Sequence, residues 1–91
     1  MPELRMRIRW PDGKEGQVYS PSTVLARHFR PGEAIALAAF RARARRALEA
    51  ASDRVAEVHG APCSRAAAEI RAVERCAAAQ PDGLVHVIAL S

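Results

Sequence analysis

Two cysteines and three histidines are the side chains of this 91-residue sequence whose types could support covalent or metal chemistry. Cys63 directly precedes a predicted helix, where unpaired backbone amides and the helix dipole favour a thiolate. This position makes Cys63 a candidate nucleophilic or redox-sensing thiol. The alternative is that Cys63 is a small apolar residue in an interhelical turn. Cys76 lies among alanines beside an apolar stripe, and we predict that it belongs to the core.

A metal centre is the second chemistry that these residues suggest. His59, Cys63 and Cys76 would be its ligands, but their spacing fits none of the zinc patterns, in which ligands come in close pairs. His28 is predicted on the surface, and His86 is predicted as a hydrogen-bonded histidine of the core or of a sheet edge. The sequence contains no glycine-rich phosphate loop, nucleophile elbow or His-Glu helix motif. We therefore expect no metal, no cofactor and no enzymatic activity.

Arginine accounts for all but one of the 14 basic residues, and the formal net charge is +4. The arginines form two groups, one in a predicted strand (Arg5, Arg7, Arg9) and one in a predicted helix (Arg41, Arg43, Arg45, Arg46). On a shared surface they would bind phosphates with a steep salt dependence. The alternative is a pair of solvated charged faces, since acidic residues are spread among the basic ones and aromatic side chains for base stacking are scarce.

Trp10 and Tyr19, near one end of a predicted hairpin, suggest a patch for binding protein. Trp, Tyr and Arg carry much of the binding energy at protein interfaces. The alternative is that Trp10 only covers the end of a helix. The candidate interaction surface comprises both aromatic residues and five arginines: Arg5, Arg7, Arg9, Trp10, Tyr19, Arg41 and Arg45.

The elements that position these residues begin with a hairpin. Four apolar residues alternate with arginines from Leu4 to Trp10, which predicts a half-buried strand. Pro11-Asp12-Gly13 predicts a turn, and residues 16–19 predict a short returning strand. Ser20-Pro21-Ser22 then predicts the start of a short helix, because serine caps helices and proline is favoured in a first turn. Arg30-Pro31-Gly32 ends this helix, since proline cannot continue it.

Two longer helices follow. From about Leu37 to His59, apolar residues recur at spacings of three and four and predict one amphipathic helix: Phe40, Ala44, Leu48, Ala51, Val55 and Val58. Gly60 provides its C-terminal stop. The second helix is predicted from about Ser64 to Ala79, with Ser64 as its cap and a stripe of small apolar residues: Ala66, Ile70, Val73 and Ala77.

The last predicted strand runs from Leu84 to Leu90 and is apolar on both faces except at His86. This pattern is typical of an inner strand that is paired on both sides and covered by helices. The order of elements is strand, strand, short helix, long helix, helix, strand. We predict an α+β fold in which a three-stranded, largely antiparallel sheet packs against a helical hairpin.

The composition fits a single domain over residues 1–91. Hydrophobic residues make up 49% of the chain, but many of them are alanine, so the core is thin. We therefore expect a homodimer, formed through an alanine-lined helix face or an edge strand. No segment approaches the ~20 apolar residues of a membrane span. Because no signal peptide and no disulfide framework are evident either, we expect a cytoplasmic location.

Several segments resemble a known family of small bacterial proteins of about this length. The segments are Met1-Pro2-Glu3, Arg9-Trp10-Pro11-Asp12-Gly13, Tyr19-Ser20-Pro21-Ser22, residues 40–48, residues 51–55 and Cys63-Ser64. In these segments, which span nearly the whole chain, the sequence resembles the nitrogen-starvation response proteins that are encoded beside a nitrilase in multi-gene clusters. The Arg-Trp-Pro-Asp-Gly and Tyr-Ser-Pro-Ser segments are the most specific in combination.

The resemblance implies expression under nitrogen limitation and neighbouring genes for a nitrilase, a radical-SAM protein, a flavin oxidoreductase and an acetyltransferase. It implies no catalytic or binding residue. Together with the missing catalytic motifs, it supports the hypothesis of a non-enzymatic accessory protein that self-associates or binds an enzyme of the nitrilase cluster. The alternative hypothesis is a basic nucleic-acid-binding regulator that uses the arginines of the first strand and the long helix.

Overall fold

A computed structural model describes residues 2–91, so Met1 of the first resembling segment lies outside the described residues. Residues 2–91 form four strands, two α-helices and one 3₁₀-helix. The strands are β1 (Leu4–Arg9), β2 (Glu15–Ser20), β3 (Ala34–Ala36) and β4 (Leu84–Leu90), the α-helices are α1 (Leu37–His59) and α2 (Ser64–Ala78), and the 3₁₀-helix is Thr23–Arg27.

All four strands join one antiparallel sheet in the order β2-β1-β4-β3. The predicted antiparallel sheet is confirmed, and β4 is the inner strand that its apolar sequence indicates. The prediction of three strands is wrong, because Ala34–Ala36 adds a fourth at the edge. This strand has only three residues between a Pro-Gly turn and a helix, so it shows no alternation of its own. Its pairing to β4 depends on distant residues.

The predicted short helix after the hairpin is a 3₁₀-helix of five residues and not an α-helix. Of the two serines in the predicted start, Ser22 is the N-cap, and its side chain accepts a hydrogen bond of 3.2 Å from the Val24 N–H. The hydroxyl of Ser20 is buried and donates to the Ser22 carbonyl at 2.6 Å. A segment this short favours the tighter 3₁₀ hydrogen bonding.

Helix α1 has the predicted bounds and ends at Gly60, which adopts the left-handed conformation with φ of 81°. The apolar stripe is buried from Phe40 to Ala51. Val58, the last residue of the predicted stripe, is 50% exposed. Val55 is half-buried, so the last turns of α1 extend beyond the part of the helix that the core covers.

Helix α2 packs against α1 and presents its predicted apolar stripe to the core. Ala66, Val73 and Ala77 are buried, and Ile70 packs against the same cluster. The predicted capping residue is wrong by one position, because Ser64 is the first helical residue and Cys63 is the N-cap. The Cys63 side chain makes no capping hydrogen bond.

The sheet has one face against the helices and one face open. Met6 and Ile8 of β1 and Val85 and Val87 of β4 are fully or almost fully buried together with Phe40 of α1. The alternate residues of β1 are the arginines, which are exposed on the other side of the sheet. Within residues 2–91, no element packs over that face.

Candidate interaction site

The β1–β2 hairpin ends in a tight turn that is tied to the end of α2. The Gly13 N–H donates to the Trp10 carbonyl at 2.9 Å, and Gly13 has φ of 90°, which favours glycine at this position. The Asp12 N–H donates to Gln80 Oε1 at 3.1 Å, and Gln80 Nε2 donates back to Asp12 Oδ2 at 3.2 Å. These reciprocal bonds hold the hairpin tip beside the C-terminal end of α2.

Trp10 is a core residue and not a surface anchor. Its side chain is only 8% exposed and packs edge-on against Phe40, with ring centroids 5.6 Å apart. Gly16 of β2 lies directly against the indole, since a Cβ built on Gly16 would be 2.7 Å from Trp10 Nε1. The small exposed part of Trp10 lines a depression beside Gly16.

Strand β2 is the outer strand of the sheet and has one free edge. The register of β1 and β2 pairs Arg5 with Tyr19 and Arg7 with Gln17. The backbone N–H of Tyr19 points away from β1 and donates to Glu69 Oε1 of α2 at 3.0 Å. Because backbone groups alternate in direction along an antiparallel strand, Gln17 and Glu15 also turn their N–H and C=O groups outward.

A groove runs between this free edge and α2, and we call it the β2–α2 groove. Its inner part has a volume of ≈ 80 Å³ and lies between Val18 and the helical residues Glu69 and Ala72. Its outer part has a volume of ≈ 470 Å³ and is lined by residues of the hairpin end and of the C-terminal end of α2: Trp10, Asp12, Lys14, Glu15, Gly16, Cys76, Ala79 and Gln80. Small side chains on α2 leave this groove open.

Tyr19 lies on β2 opposite Arg5 of β1 and contacts the N-terminal half of α2. The Arg65 guanidinium stacks over the Tyr19 ring, 3.8 Å from its centroid. Burial of the phenol raises the pKa of Tyr19 above its ordinary value, and the Glu3 carboxylate raises this pKa further while Arg65 lowers it. The stacked arginine and the Glu69 hydrogen bond together fix Tyr19, so this end of the strand edge is closed.

The predicted strand arginines lie on the open face of the sheet and are partly neutralised. Arg7 and Arg9 both pair with Glu15, at 3.6 Å and 3.3 Å, and Arg5 pairs with Glu3 at 3.3 Å. All three arginine side chains are about half exposed. Ion pairs this exposed contribute little to stability, but they lower the net positive charge of this face.

The predicted helix arginines lie on the other side of the molecule. Arg41 pairs with Glu74 of α2 at 2.8 Å, and Arg45 pairs with Glu49 at 3.0 Å. Since α1 packs on the face of the sheet opposite the strand arginines, the two groups do not share a surface. Arg43 instead binds Glu33 and packs over the Phe29 ring, so it holds α1 against the chain before β3.

The two thiols differ from each other in their exposure. Cys63 is half-buried, and its backbone N–H donates to Ser52 Oγ at 3.3 Å, which joins the two helices at their connection. Cys76 is exposed and lines the β2–α2 groove, so the prediction of a core cysteine is wrong. Cys76 faces β2, where α2 overhangs a free strand edge instead of a packed layer.

His59, Cys63 and Cys76 do not form a metal site in the structure. Among residues 2–91, no three His, Cys, Asp or Glu side chains are grouped in a way that could hold a metal ion. A further depression of ≈ 480 Å³ lies between the 3₁₀-helix and α1 and is lined by Val24, Arg27, Ala50, Asp53, Arg54 and Glu57. In the described part of the chain, neither helix combines the length and apolar character that crossing a membrane requires.

These features define a small α+β protein with a helical hairpin on one face of its sheet and an accessible strand edge beside that hairpin. A family model described as nitrogen starvation-induced protein NitG matches residues 5–90, and the chain belongs to this family. The resemblance seen in the sequence is therefore confirmed at the level of the family. No significant match was found among curated proteins or among solved structures.

Two residues of the groove were missed by the sequence analysis. Gly16 carries a usable signal, because glycine inside a strand often marks a close approach of another group. That group is the Trp10 indole. Glu69 carries no such signal, since it reads as one more charged residue on a helix. Its role depends on a hydrogen bond to a strand 50 positions away in the sequence.

Proposed function

We propose that this protein is a non-enzymatic interaction protein of the nitrogen-starvation response, which acts by self-association or by binding another protein. The observation that supports this proposal best is the free edge of β2 beside the β2–α2 groove. Strand edges with unpaired N–H and C=O groups bind further strands by forming the missing hydrogen bonds. The groove adds a partly apolar surface next to those groups.

A protein partner fits this site better than a small molecule does. The outward backbone groups of Glu15 and Gln17 form a line along the strand and not a convergent cluster. Small-molecule sites are concave and bring a few polar groups together from several directions. An extended strand of another chain matches the line of donors and acceptors, and the groove lies beside that line.

The resemblance to a family encoded beside a nitrilase suggests where a second partner would come from. An enzyme of such a cluster would be made under the same conditions as this protein. We therefore propose an enzyme of the nitrilase cluster as the partner if the protein does not act through self-association alone. The thin, alanine-rich core is a further reason to expect association, because small domains gain stability in this way.

The test is a quantitative pull-down from nitrogen-starved cells with tagged protein, in which half of each sample is treated with nuclease. The variant Gln17→Pro removes an outward N–H of β2 without removing a hydrogen bond to β1. The matched control is Arg45→Ala, which changes an exposed residue of α1. We expect a cluster enzyme, or an untagged copy of the protein, to be retained by wild type and Arg45→Ala but lost with Gln17→Pro.

Two results would contradict the proposal. Retention that disappears on nuclease treatment would show that the protein binds nucleic acid. If wild type and Gln17→Pro captured the same proteins in the same amounts, the β2 edge would not be the binding site.

A further inference from the structure

We propose that the β2 edge pairs with β2 of a second copy of this chain, so that two sheets join into one continuous antiparallel sheet across a two-fold axis. This inference rests on the proposed function and specifies one of its forms, self-association. A two-fold axis is the symmetry expected here, because both copies then use the same surface in the contact and neither copy leaves that strand edge unpaired.

The hydrogen-bonding groups that such pairing needs are present on one part of the edge. Glu15 and Gln17 direct their backbone groups outward, as the alternation from Tyr19 requires. The Tyr19 N–H is already bonded to Glu69. The available part of the edge is therefore centred on Gly16, between Glu15 and Gln17.

The chemistry of these residues selects one register. Pairing Glu15 with Glu15 of the second copy would place like charges opposite each other, which is destabilising. Pairing Gln17 with Gln17 would place Tyr19 opposite Glu15 and require Tyr19 to give up Glu69. The intermediate register avoids both conflicts: Gly16 faces Gly16 of the second copy, and Glu15 faces Gln17 in both directions.

In this register the open face gains a favourable side-chain pair on each side of the axis. Glu15 and Gln17 are exposed and lie on the same face of β2. The Gln17 amide of one copy can donate to the Glu15 carboxylate of the other. Such opposite cross-strand pairs stabilise sheets. Glu15 keeps its contacts with Arg7 and Arg9 of β1 in the same copy.

The face toward the helices supplies charge complementarity. Lys14 and Glu69 both line the groove, Lys14 at its outer end and Glu69 beside Val18 at its inner end. Neither side chain forms an ion pair within residues 2–91. The proposed register places Lys14 of each copy opposite Val18 of the other. Lys14 of each copy then lies next to Glu69 of its partner, twice in the dimer.

Helix α2 sets a steric condition on this arrangement. Paired strands lie about 4.8 Å apart, whereas packed helices lie about 8–10 Å apart. In the dimer each α2 must therefore lie farther back from the shared edge than it does in the single chain. The side of α2 that faces the groove carries Ala72, Cys76 and Ala79, whose small side chains reduce the displacement that is needed.

The test uses two charge-reversal variants that are complementary only if this contact exists. In a dimer of Lys14→Glu, the substituted side chain of each copy would lie next to Glu69 of the other copy, so both contacts would join two negative charges. In a dimer of Glu69→Lys, the substituted side chain would lie next to Lys14 of the other copy, so both contacts would join two positive charges. A mixed dimer of the two variants has a Glu–Lys contact at both positions. One variant is labelled with ¹⁵N, and homodimers and heterodimers are distinguished by native mass spectrometry. Circular dichroism confirms that each variant is folded.

We expect wild type to be dimeric and each variant alone to be mostly monomeric. The mixture should form heterodimers in roughly tenfold excess over the statistical ratio. The matched control pair, Arg45→Glu and Glu49→Lys on α1, should dimerise like wild type and mix statistically. A dimeric wild type whose two groove variants also mix statistically would overturn the inference, because the interface would then lie elsewhere.

A second measurement does not depend on the stability of Glu69→Lys. In a background with Cys63 and Cys76 replaced by alanine, Glu15→Cys and Gln17→Cys lie on the open face and oppose each other across the proposed axis. Mild oxidation of the two proteins mixed together should give a cross-linked heterodimer in roughly tenfold excess over either cross-linked homodimer. A statistical 1:2:1 ratio of homodimer, heterodimer and homodimer, or a wild type that is monomeric, would overturn the inference. A monomeric wild type that still retained a cluster enzyme would leave the proposed function standing.

Discussion

Glu69 of α2 accepts a hydrogen bond from the backbone N–H of Tyr19 at the edge of β2, at a distance of 3.0 Å. The carboxylate occupies the position that a carbonyl of a neighbouring strand would take. One residue of the helix therefore closes one end of the strand edge, while Glu15 and Gln17 stay open. This division is the reason that the candidate interaction site has a defined length and position.

The hydrogen bond from Tyr19 to Glu69 should contribute to stability. Glu69→Ala removes the side-chain acceptor of a partly buried backbone donor, and we expect a loss of about 1 kcal/mol in the free energy of unfolding. Urea unfolding followed by circular dichroism measures this loss. Glu57→Ala is the control, because Glu57 forms an exposed pair with Arg54, and the loss of this pair should lower the free energy of unfolding by a few tenths of a kcal/mol. Equal stability of the two variants would show that the Glu69 contact is unimportant.

The close packing of Gly16 against Trp10 should make Gly16→Ala destabilising. The added Cβ would lie 2.7 Å from Trp10 Nε1, so the indole must move within a packed core. We expect a loss of about 1–3 kcal/mol, as for other overpacked core positions.

A double-mutant cycle with Trp10→Phe separates this contact from other effects of alanine. Phenylalanine lacks the indole N–H, so Gly16→Ala should be less destabilising in the Trp10→Phe protein than in wild type. The free energies of unfolding of the four proteins, measured in urea, give the coupling. A Gly16→Ala effect of the same size in both backgrounds would show that the indole is not the obstacle.

Glu33 should make stability depend on pH in the acidic range. The hydrogen bond from Arg43 lowers the pKa of the Glu33 carboxyl below its ordinary value of 4.5, with a smaller contribution from the Arg30 N–H, while burial acts against the shift. The unfolded state therefore binds a proton more readily than the folded state. The contribution of Glu33 is complete above its ordinary pKa and is lost as the pH falls through the lower folded-state pKa.

Urea unfolding at a series of pH values, for wild type and Glu33→Gln, tests this dependence. Wild type should lose more stability than Glu33→Gln as the pH falls from about 6 to about 3. Glu49→Gln, which changes a more exposed partner of Arg45, is the matched control. Parallel pH profiles for wild type and Glu33→Gln would contradict the assignment of Glu33.

The separation of the two arginine groups should limit binding to nucleic acid. Arg5, Arg7 and Arg9 lie on the open face of the sheet, and Arg41 and Arg45 lie with the helices and pair with glutamates. We expect no micromolar binding in fluorescence anisotropy titrations with labelled single- and double-stranded oligonucleotides at low salt. Tight binding whose affinity fell steeply with added salt would favour the nucleic-acid-binding regulator.

The long regular elements of this fold could be predicted from local patterns. Helix α1 has a clear apolar stripe and a terminal glycine, and both of its bounds follow from them. Strand β4 is apolar on both faces, and its inner position follows from that. In each case the signal lies within the element itself: an apolar stripe and a terminal glycine in α1, and an apolar run in β4.

The elements that could not be predicted depend on distant partners. Strand β3 has three residues and exists only because β4 pairs with it. Trp10 has the residue type of an interface anchor, but the contact with Phe40 buries it. Cys76 has apolar neighbours in the sequence and is nevertheless exposed, because α2 overhangs the free edge of β2 there. The local sequence of a helix does not show which of its residues extend past the edge of the sheet below it.

Amide hydrogen exchange tests most directly whether the β2 edge is a site of self-association. Exchange rates of individual backbone N–H groups are measured by NMR over a series of protein concentrations. We predict that the N–H groups of Glu15 and Gln17 become protected as the concentration rises. The Tyr19 N–H should be protected throughout, because Glu69 binds it in the single chain. If the Glu15 and Gln17 N–H groups exchanged as fast as unpaired amides at every concentration, the edge would be free and the claim would be wrong.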